Sequence, residues 1–155
     1  MKKVKEIGIP LFESWMELLE FVVTAYLDEI FESKEIGLDE VDRLKILISE
    51  IKYWPVKLNK TYIGQKINKT INKIVTKLFG DPENMNNLAI LESILKVSEE
   101  IGIIPDLLKA QNIYFIIAKQ TYPQMIKKAE SGDKNARRWV ENFKVLNDYF
   151  PAKSF

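Results

Sequence analysis

The sequence predicts an all-α protein that forms a compact single-domain array of about seven helices over residues 1–155. Apolar residues recur at intervals of three and four along the whole chain, and no segment alternates strictly over the length of a strand. Short groups of Gly, Pro and Asn separate the periodic segments, without a long linker or an internal repeat. A chain of this length, with 46% hydrophobic residues, can bury one core without disulfides.

The first helix is predicted from Pro10 to about Ser33, because proline suits the first helical position, and Gly37 follows as a stop signal. Its carboxylates at Glu13, Glu17 and Glu20 are assigned to a solvated side. Six apolar residues share one stripe that is expected to face the core: Leu11, Trp15, Leu18, Val22, Tyr26 and Ile30.

The second and third helices have clear boundary signals. Asp39 is expected to cap the second helix, which ends near Trp54 because proline disfavours the α conformation of the preceding residue. The third helix runs over about Lys60–Phe79, and Gly80 ends it. The predicted inward residues are Val41, Leu44, Leu47, Ile48 and Ile51 in the second helix and Ile63, Ile67, Ile71, Ile74 and Leu78 in the third.

Four more helices complete the predicted array. The fourth opens at Asn86 or Asn87 and ends at Gly102, and the fifth opens at Pro105 and reaches about Gln120. A short sixth helix ends at Gly132, and the last spans residues 134–149. The predicted inward residues are Leu88, Leu91, Ile94, Leu95 and Val97 in the fourth helix, Met125, Ile126 and Ala129 in the sixth, and Trp139, Val140, Phe143 and Leu146 in the last.

The composition excludes several classes of chemistry. With no histidine and no cysteine, the chain cannot carry a Ser-His-Asp or Cys-His catalytic set or a zinc signature. Its six glycines are scattered and form no phosphate-binding loop. Glu13, Glu17 and Glu20 lie along one helix side, whereas a glycosidase needs two carboxylates that face each other across the substrate. We therefore expect a non-catalytic protein without a metal or cofactor.

The same composition bears on the compartment. The N-terminal residues are charged and then interrupted by Gly8 and Pro10, so they do not resemble a signal peptide. The longest apolar run, Ile113 to Ala118, is far too short to span a membrane. These features and the absence of cysteine favour the cytoplasm. Twenty lysines beside three arginines favour a thermophilic source.

Charge is distributed unevenly along the chain. Residues 52–80 carry seven lysines and no acidic residue, whereas residues 1–51 have twelve acidic residues against six basic ones. On the third helix, Lys66, Lys69, Lys73 and Lys77 form one basic stripe beside the isoleucine face. The electric field of such an uneven charge distribution either steers a charged partner or holds two parts of the chain together.

Three interpretations of the basic stripe remain open, of which an intramolecular role is favoured. In that role the acidic first and second helices neutralise the stripe, with Glu13, Glu17 and Glu20 as natural opposites. The stripe would otherwise bind a partner protein or a nucleic acid. Nucleic acid is the least favoured, because the stripe lacks arginines and interleaved aromatic residues for base stacking.

The fifth helix carries two amides in an apolar setting. Gln111 lies between Leu107 and Phe115 at four-residue spacing, and Asn112 lies between Leu108 and Ile116 in the same way. A buried amide requires a hydrogen-bond partner, which is a loop backbone, a neighbouring helix or a ligand. Gln111, Asn112 and Tyr114 are therefore candidate ligand-binding residues, with Trp54 or Trp139 as further pocket walls.

One segment of this helix resembles a known family. The residues Asp106-Leu107-Leu108-x-Ala110-Gln111-Asn112-x-Tyr114-Phe115 are similar to the Asp-Leu-x-x-Ala-Gln-Asn stretch of an all-helical domain of unknown function. That domain follows catalytic domains of the glycoside hydrolase family 57 type. The resemblance extends to Ile9-Pro10, Trp54, Gly80-Asp81-Pro82, Trp139 and Phe143, and departs from the family at Leu108, where a larger aromatic residue is expected.

The resemblance implies an accessory helical module and carries no catalytic residue onto this chain, because the carboxylates of such enzymes lie in the catalytic domain. We expect a non-catalytic module that interacts with another protein or domain, of the hydrolase type and in α-glucan metabolism. The alternative is a helical domain that binds a small molecule or an oligosaccharide. No membrane association is expected.

Overall fold

The computed structural model describes residues 9–54 and 56–150, with side chains from residue 12 onward. This part of the chain forms seven α-helices and a final 3₁₀ turn and contains no strand, which confirms the predicted all-α class. The helices are α1 (Ile9–Phe31), α2 (Leu38–Ile51), α3 (Lys60–Gly80), α4 (Met85–Glu100), α5 (Leu108–Gln120), α6 (Tyr122–Glu130) and α7 (Lys134–Val145), followed by the turn Leu146–Asp148.

Helices α3 and α4 form the centre of the array. α3 packs against α1, α4 and α5, while α4 packs against α2, α3 and α7. α1 lies at an edge, against α2 and α3, and α6 fills the space beside α5 and α7. One continuous apolar cluster includes residues from all seven helices. Every predicted inward residue of α3 and α4 is buried in it, as are Trp139, Val140, Phe143 and Leu146.

The predicted core stripe of α1 is wrong. Trp15, Leu18, Val22 and Tyr26 are all exposed, and Ile30 alone of the predicted residues with a described side chain is buried. The side chain of Leu11 lies outside the described residues. α1 has apolar residues on two sides, so periodicity could not determine which side faces the protein. The true core face consists of Met16, Val23, Leu27 and Ile30.

Three helices start at other residues than the sequence predicts. Gly37 is the N-cap of α2 rather than a stop for α1, and its N–H donates to the Glu40 carboxylate at 2.9 Å, so Asp39 is not the cap. α4 starts at Met85, because the Asn84 side chain accepts from the Asn87 N–H at 3.2 Å. α5 starts three residues after Pro105, where the Asp106 carboxylate accepts from the Leu108 N–H at 3.1 Å.

The predicted stops at Gly102 and Gly132 are confirmed. Both residues have positive φ, at 72° and 98°, a conformation that glycine adopts without steric cost. The next N–H in each case returns to the helix: Ile103 N donates to Ser98 O at 2.9 Å, and Asp133 N donates to Lys128 O at 3.0 Å. These bonds satisfy carbonyls that a helix end leaves without intrahelical partners.

A stack of aromatic rings joins α5 to α7. Tyr114 stacks on Phe143 at 4.4 Å between centroids, and Phe143 stacks on Trp139 at 4.8 Å. The Tyr114 hydroxyl donates to Phe143 O at 3.1 Å, and the Trp139 indole N–H donates to Pro82 O at 2.7 Å. Burial raises the pKa of Tyr114 far above its ordinary value. The Tyr114 hydroxyl and the Trp139 indole N–H are therefore both hydrogen-bonded inside the core.

Among the described helices, none combines the length and the apolar character that crossing a membrane requires.

Candidate functional site

The outer side of α1 carries large apolar side chains that the fold leaves uncovered. Trp15, Leu18, Phe21, Val22 and Tyr26 are between 43% and 73% exposed. Four of them recur at spacings of three and four residues and form one stripe, which Phe21 flanks. We call these five residues the outer face of α1. Contiguous exposed apolar surfaces of this kind typically mark sites of protein interaction.

Charged residues border the outer face of α1. Glu13 and Glu17 lie on the same four-residue row as Phe21, are exposed, and form no ion pair within the described part of the chain. Near the other end, the Arg43 guanidinium lies 5.6 Å from the Tyr26 ring centroid and is itself paired with α1. The border near the start of the helix is therefore acidic, and the border near its end is neutralised.

The basic stripe of α3 divides into paired and unpaired lysines. Lys66 Nζ donates to Glu32 Oε1 at 2.6 Å, and Lys77 Nζ lies 3.5 Å from Glu35 Oε1. The hydrogen bond raises the pKa of Lys66 and lowers that of Glu32. Lys69 and Lys73 have no ion pair with any described residue.

The predicted opposites of the stripe are wrong. Glu32 and Glu35 neutralise it, because the end of α1 and the loop after it lie beside α3. Of the three glutamates expected there, Glu20 instead accepts from the backbone N–H of Lys57 at 3.1 Å. Glu17 and Glu13 lie about one and two helical turns before Glu20, further from this contact. The expected intramolecular neutralisation exists, but it covers only half of the stripe.

The unpaired part of the stripe faces a cavity of about 630 Å³. Lys69, Lys73 and Lys77 line it from α3, Lys34 from the loop after α1, and Lys109 from α5. Glu35 is the one carboxylate among the residues that line it. Phe31, Ile36 and Ile74 supply apolar walls. We call this space the lysine cavity; it has the volume typical of a small-molecule site.

Two polar groups in the lysine cavity lack hydrogen-bond partners. The Asn72 Oδ1 atom is inaccessible and accepts no hydrogen bond from the described residues. Thr70 is 4% exposed, and its hydroxyl has no partner in the same part of the chain. Buried polar groups in folded proteins are almost always hydrogen-bonded. Among the described residues, the lysine cavity therefore combines lysines that form no ion pair with one buried polar atom, Asn72 Oδ1, that has no hydrogen-bond partner.

The candidate ligand-binding residues of α5 lie on different sides of the helix. Asn112 is exposed together with Leu108 and Ile116, so the prediction that its amide is buried is wrong. Gln111 is half-buried, and Tyr114 lies in the aromatic stack. None of the three lines the lysine cavity. Trp139 is also in the core, and Trp54 is half-buried in the turn after α2.

A second cavity of about 710 Å³ lies between the end of α4, the loop before α5 and the 3₁₀ turn. Its charged wall is mainly acidic, with Glu92, Glu99 and Asp148 beside Lys96. Tyr149 closes one side, and burial together with the charge of Glu99 raises the pKa of its hydroxyl. Over residues 9–54 and 56–150, no three acidic side chains cluster closely enough to hold a metal ion.

Comparisons with protein-family models, with curated proteins and with solved structures find no match to this chain. Sequence reasoning missed both the outer face of α1 and the lysine cavity. The apolar stripe of this face is evident in the sequence, but periodicity assigns it to the core rather than to the surface. The cavity had a signal in the acid-free segment, but Lys34 and Lys109 come from distant segments and gave none.

Proposed function

We propose that this chain is a non-catalytic interaction module that binds another protein or domain through the outer face of α1. The observation that carries the proposal is the exposure of five large apolar residues on one side of a helix whose other side is anchored in the core. Trp, Tyr and Phe are among the residues enriched in protein interfaces, where burial of their rings dominates the binding energy.

The border of this face defines the partner. Glu13 and Glu17 form no ion pair with a described residue and lie beside Phe21, so a partner with an apolar strip flanked by Lys or Arg would match this face. The resemblance to helical domains that follow family 57-type hydrolases favours a hydrolase-type catalytic domain, in α-glucan metabolism. The absence of cysteine favours a cytoplasmic setting for this interaction.

A site-specific photo-crosslink tests the proposal. Benzoyl-phenylalanine replaces Phe21 in one variant and Phe79 in another, because both side chains are exposed phenylalanines on long helices. Each variant is irradiated in its native host, and the crosslinked protein is identified by mass spectrometry. We expect a single major partner at position 21 and none at position 79.

The identified partner is then purified and titrated against the wild type, Val22→Glu and Phe79→Glu. We expect Val22→Glu to weaken binding by at least about tenfold, because a carboxylate would be desolvated in an apolar contact, and Phe79→Glu to bind like the wild type. Equal binding by all three would overturn the proposal. A crosslink at position 21 to a second copy of the chain would replace it with a homodimer.

A partner without a hydrolase-type domain would leave the interaction role intact and would remove the carbohydrate assignment.

A further inference from the structure

We propose that the lysine cavity binds a phosphate-bearing small molecule whose remaining part carries a hydrogen-bond donor. This inference is independent of the interaction role, since the cavity and the outer face of α1 share no residue. Three separate elements contribute lysines to the cavity: the loop after α1, α3 and α5. Lysines that converge from different elements are typical of an anion-binding site. The lysines of a solvated helix face, in contrast, all come from that one helix.

The charge balance calls for a ligand with more than one negative charge. Among the described residues of the cavity wall, five lysines meet one carboxylate, that of Glu35. Glu35 is already paired with Lys77, at 3.5 Å, while Lys69, Lys73, Lys34 and Lys109 have no ion pair among the described residues. Lysines four residues apart on a helix repel one another, so this arrangement is unfavourable unless an anion occupies it.

The polar groups in the cavity describe the rest of the ligand. Asn72 Oδ1 is a buried acceptor without a donor, so an N–H or O–H group of the ligand would satisfy it. The Thr70 hydroxyl lines the same cavity without a hydrogen-bond partner among the described residues and can donate to a phosphate oxygen. Ile36 and Ile74 offer an apolar surface for the body of the ligand. Phosphate esters of sugars and of nucleosides share this chemistry.

A nucleic acid is a poorer fit to the same residues. The cavity is concave and holds about 630 Å³, which suits a molecule of nucleotide size better than a continuous strand. Among the described residues its walls contain no arginine, and Phe31, the one aromatic residue among them, is buried and so cannot stack on successive bases.

Calorimetric titration of the purified chain at low salt tests the proposal with five probes: ATP, glucose 6-phosphate, inorganic pyrophosphate, adenosine and a single-stranded oligonucleotide. We expect binding of at least one phosphate ester and none of adenosine, with an affinity that falls steeply as salt is raised. ATP and glucose 6-phosphate distinguish a nucleoside source from a sugar source. A failure of all three phosphate probes would overturn the proposal, as would tighter binding of a single-stranded oligonucleotide.

Two charge-matched double variants locate the site. Lys69→Gln with Lys73→Gln removes two cavity charges, whereas Lys119→Gln with Lys144→Gln removes two exposed charges elsewhere. We expect the first pair to weaken binding at least about tenfold and the second to change it less than about twofold. Circular dichroism checks that both fold. Equal losses in the two pairs would show a general charge effect and would overturn the assignment to this cavity.

A third variant tests the role of Asn72. Asn72→Leu should weaken the phosphate ester by several-fold and leave pyrophosphate unchanged, because pyrophosphate carries no donor at the position of the ester body. Equal binding of the ester by Asn72→Leu and the wild type would contradict the assigned acceptor role.

Discussion

Helices α1 and α3 are the two longest in the molecule, at 23 and 21 residues, and they lie side by side. α3 has one apolar stripe, all of which is buried, and apart from the exposed Phe79 near its end the opposite surface is polar and basic. α1 has two apolar sides, of which the fold buries one. The difference teaches that helical periodicity identifies a core face reliably only when the opposite side of the helix is polar.

Removing a core side chain from each helix should show the largest contrast. Ile71→Ala on α3 should lower the free energy of unfolding by about 2–5 kcal/mol, because it leaves a cavity at a fully buried position. Leu18→Ala on α1, an exposed position, should change it by less than about 0.5 kcal/mol. Urea unfolding measures both. Similar losses would mean that α1 is buried on the side where Leu18 lies.

Two adjacent valines of α1 should differ almost as much. Val23→Asp places a carboxylate in the core and should cost about 2–3 kcal/mol of unfolding free energy, whereas Val22→Asp on the outer face should be nearly neutral. Thermal and urea unfolding of the two variants check the assignment. A larger loss of unfolding free energy for Val22→Asp than for Val23→Asp would mean that the core face of α1 is the one predicted from periodicity.

The junction between the two helices should show a smaller effect. The Tyr62 hydroxyl of α3 donates to Asp28 Oδ1 of α1 at 2.8 Å, and this hydrogen bond raises the pKa of Tyr62. Tyr62→Phe removes it and should lower the melting temperature by roughly 2 °C. Tyr53→Phe is the matched control, because Tyr53 is highly exposed and its hydroxyl has no hydrogen bond among the described residues. An equal shift in both variants would refute the role of this bond.

The ion pair between the helices should give the smallest effect. The Lys66 hydrogen bond holds the pKa of Glu32 below its ordinary value of 4.5. The folded state therefore gains stability from Glu32 above the unfolded pKa, and loses it as pH falls through the lowered folded pKa. Titration of the Glu32 carboxyl by NMR measures the folded value, and Lys66→Met should return it toward 4.5. An unchanged titration in Lys66→Met would contradict this cause.

Much of the fold could be predicted because local signals decide it. The isoleucines of α3, the stops at Gly102 and Gly132, and the inward faces of α4 and α7 all follow from periodicity and backbone chemistry. Helix starts were less predictable, because several side chains competed to cap them. The start of α4 is capped by Asn84 rather than by Asn86 or Asn87, and the start of α2 is fixed by the bond from Gly37 N–H to Glu40 rather than by Asp39. Both hydrogen bonds depend on the geometry of the preceding loop.

The candidate sites depend on tertiary arrangement and could be predicted only in part. The stripe from Lys66 to Lys77 was evident on a helical wheel, but its partners were assigned to the wrong end of α1. Only the packing of α1 on α3 brings Glu32 and Glu35 to the stripe and leaves Lys69 and Lys73 unpaired. Likewise, the apolar neighbours Leu108 and Ile116 predict a buried amide at Asn112, whereas all three residues are exposed.

Thiol labelling provides the most direct measurement of how α1 is oriented. The chain has no cysteine, so single substitutions Val22→Cys and Val23→Cys introduce one reporter each. Under native conditions, Cys at position 22 should react with a thiol reagent at nearly the rate of an unstructured peptide. At position 23 it should react at least about a hundredfold more slowly, limited by local opening. A protected position 22 beside a reactive position 23 would contradict the outer face of α1.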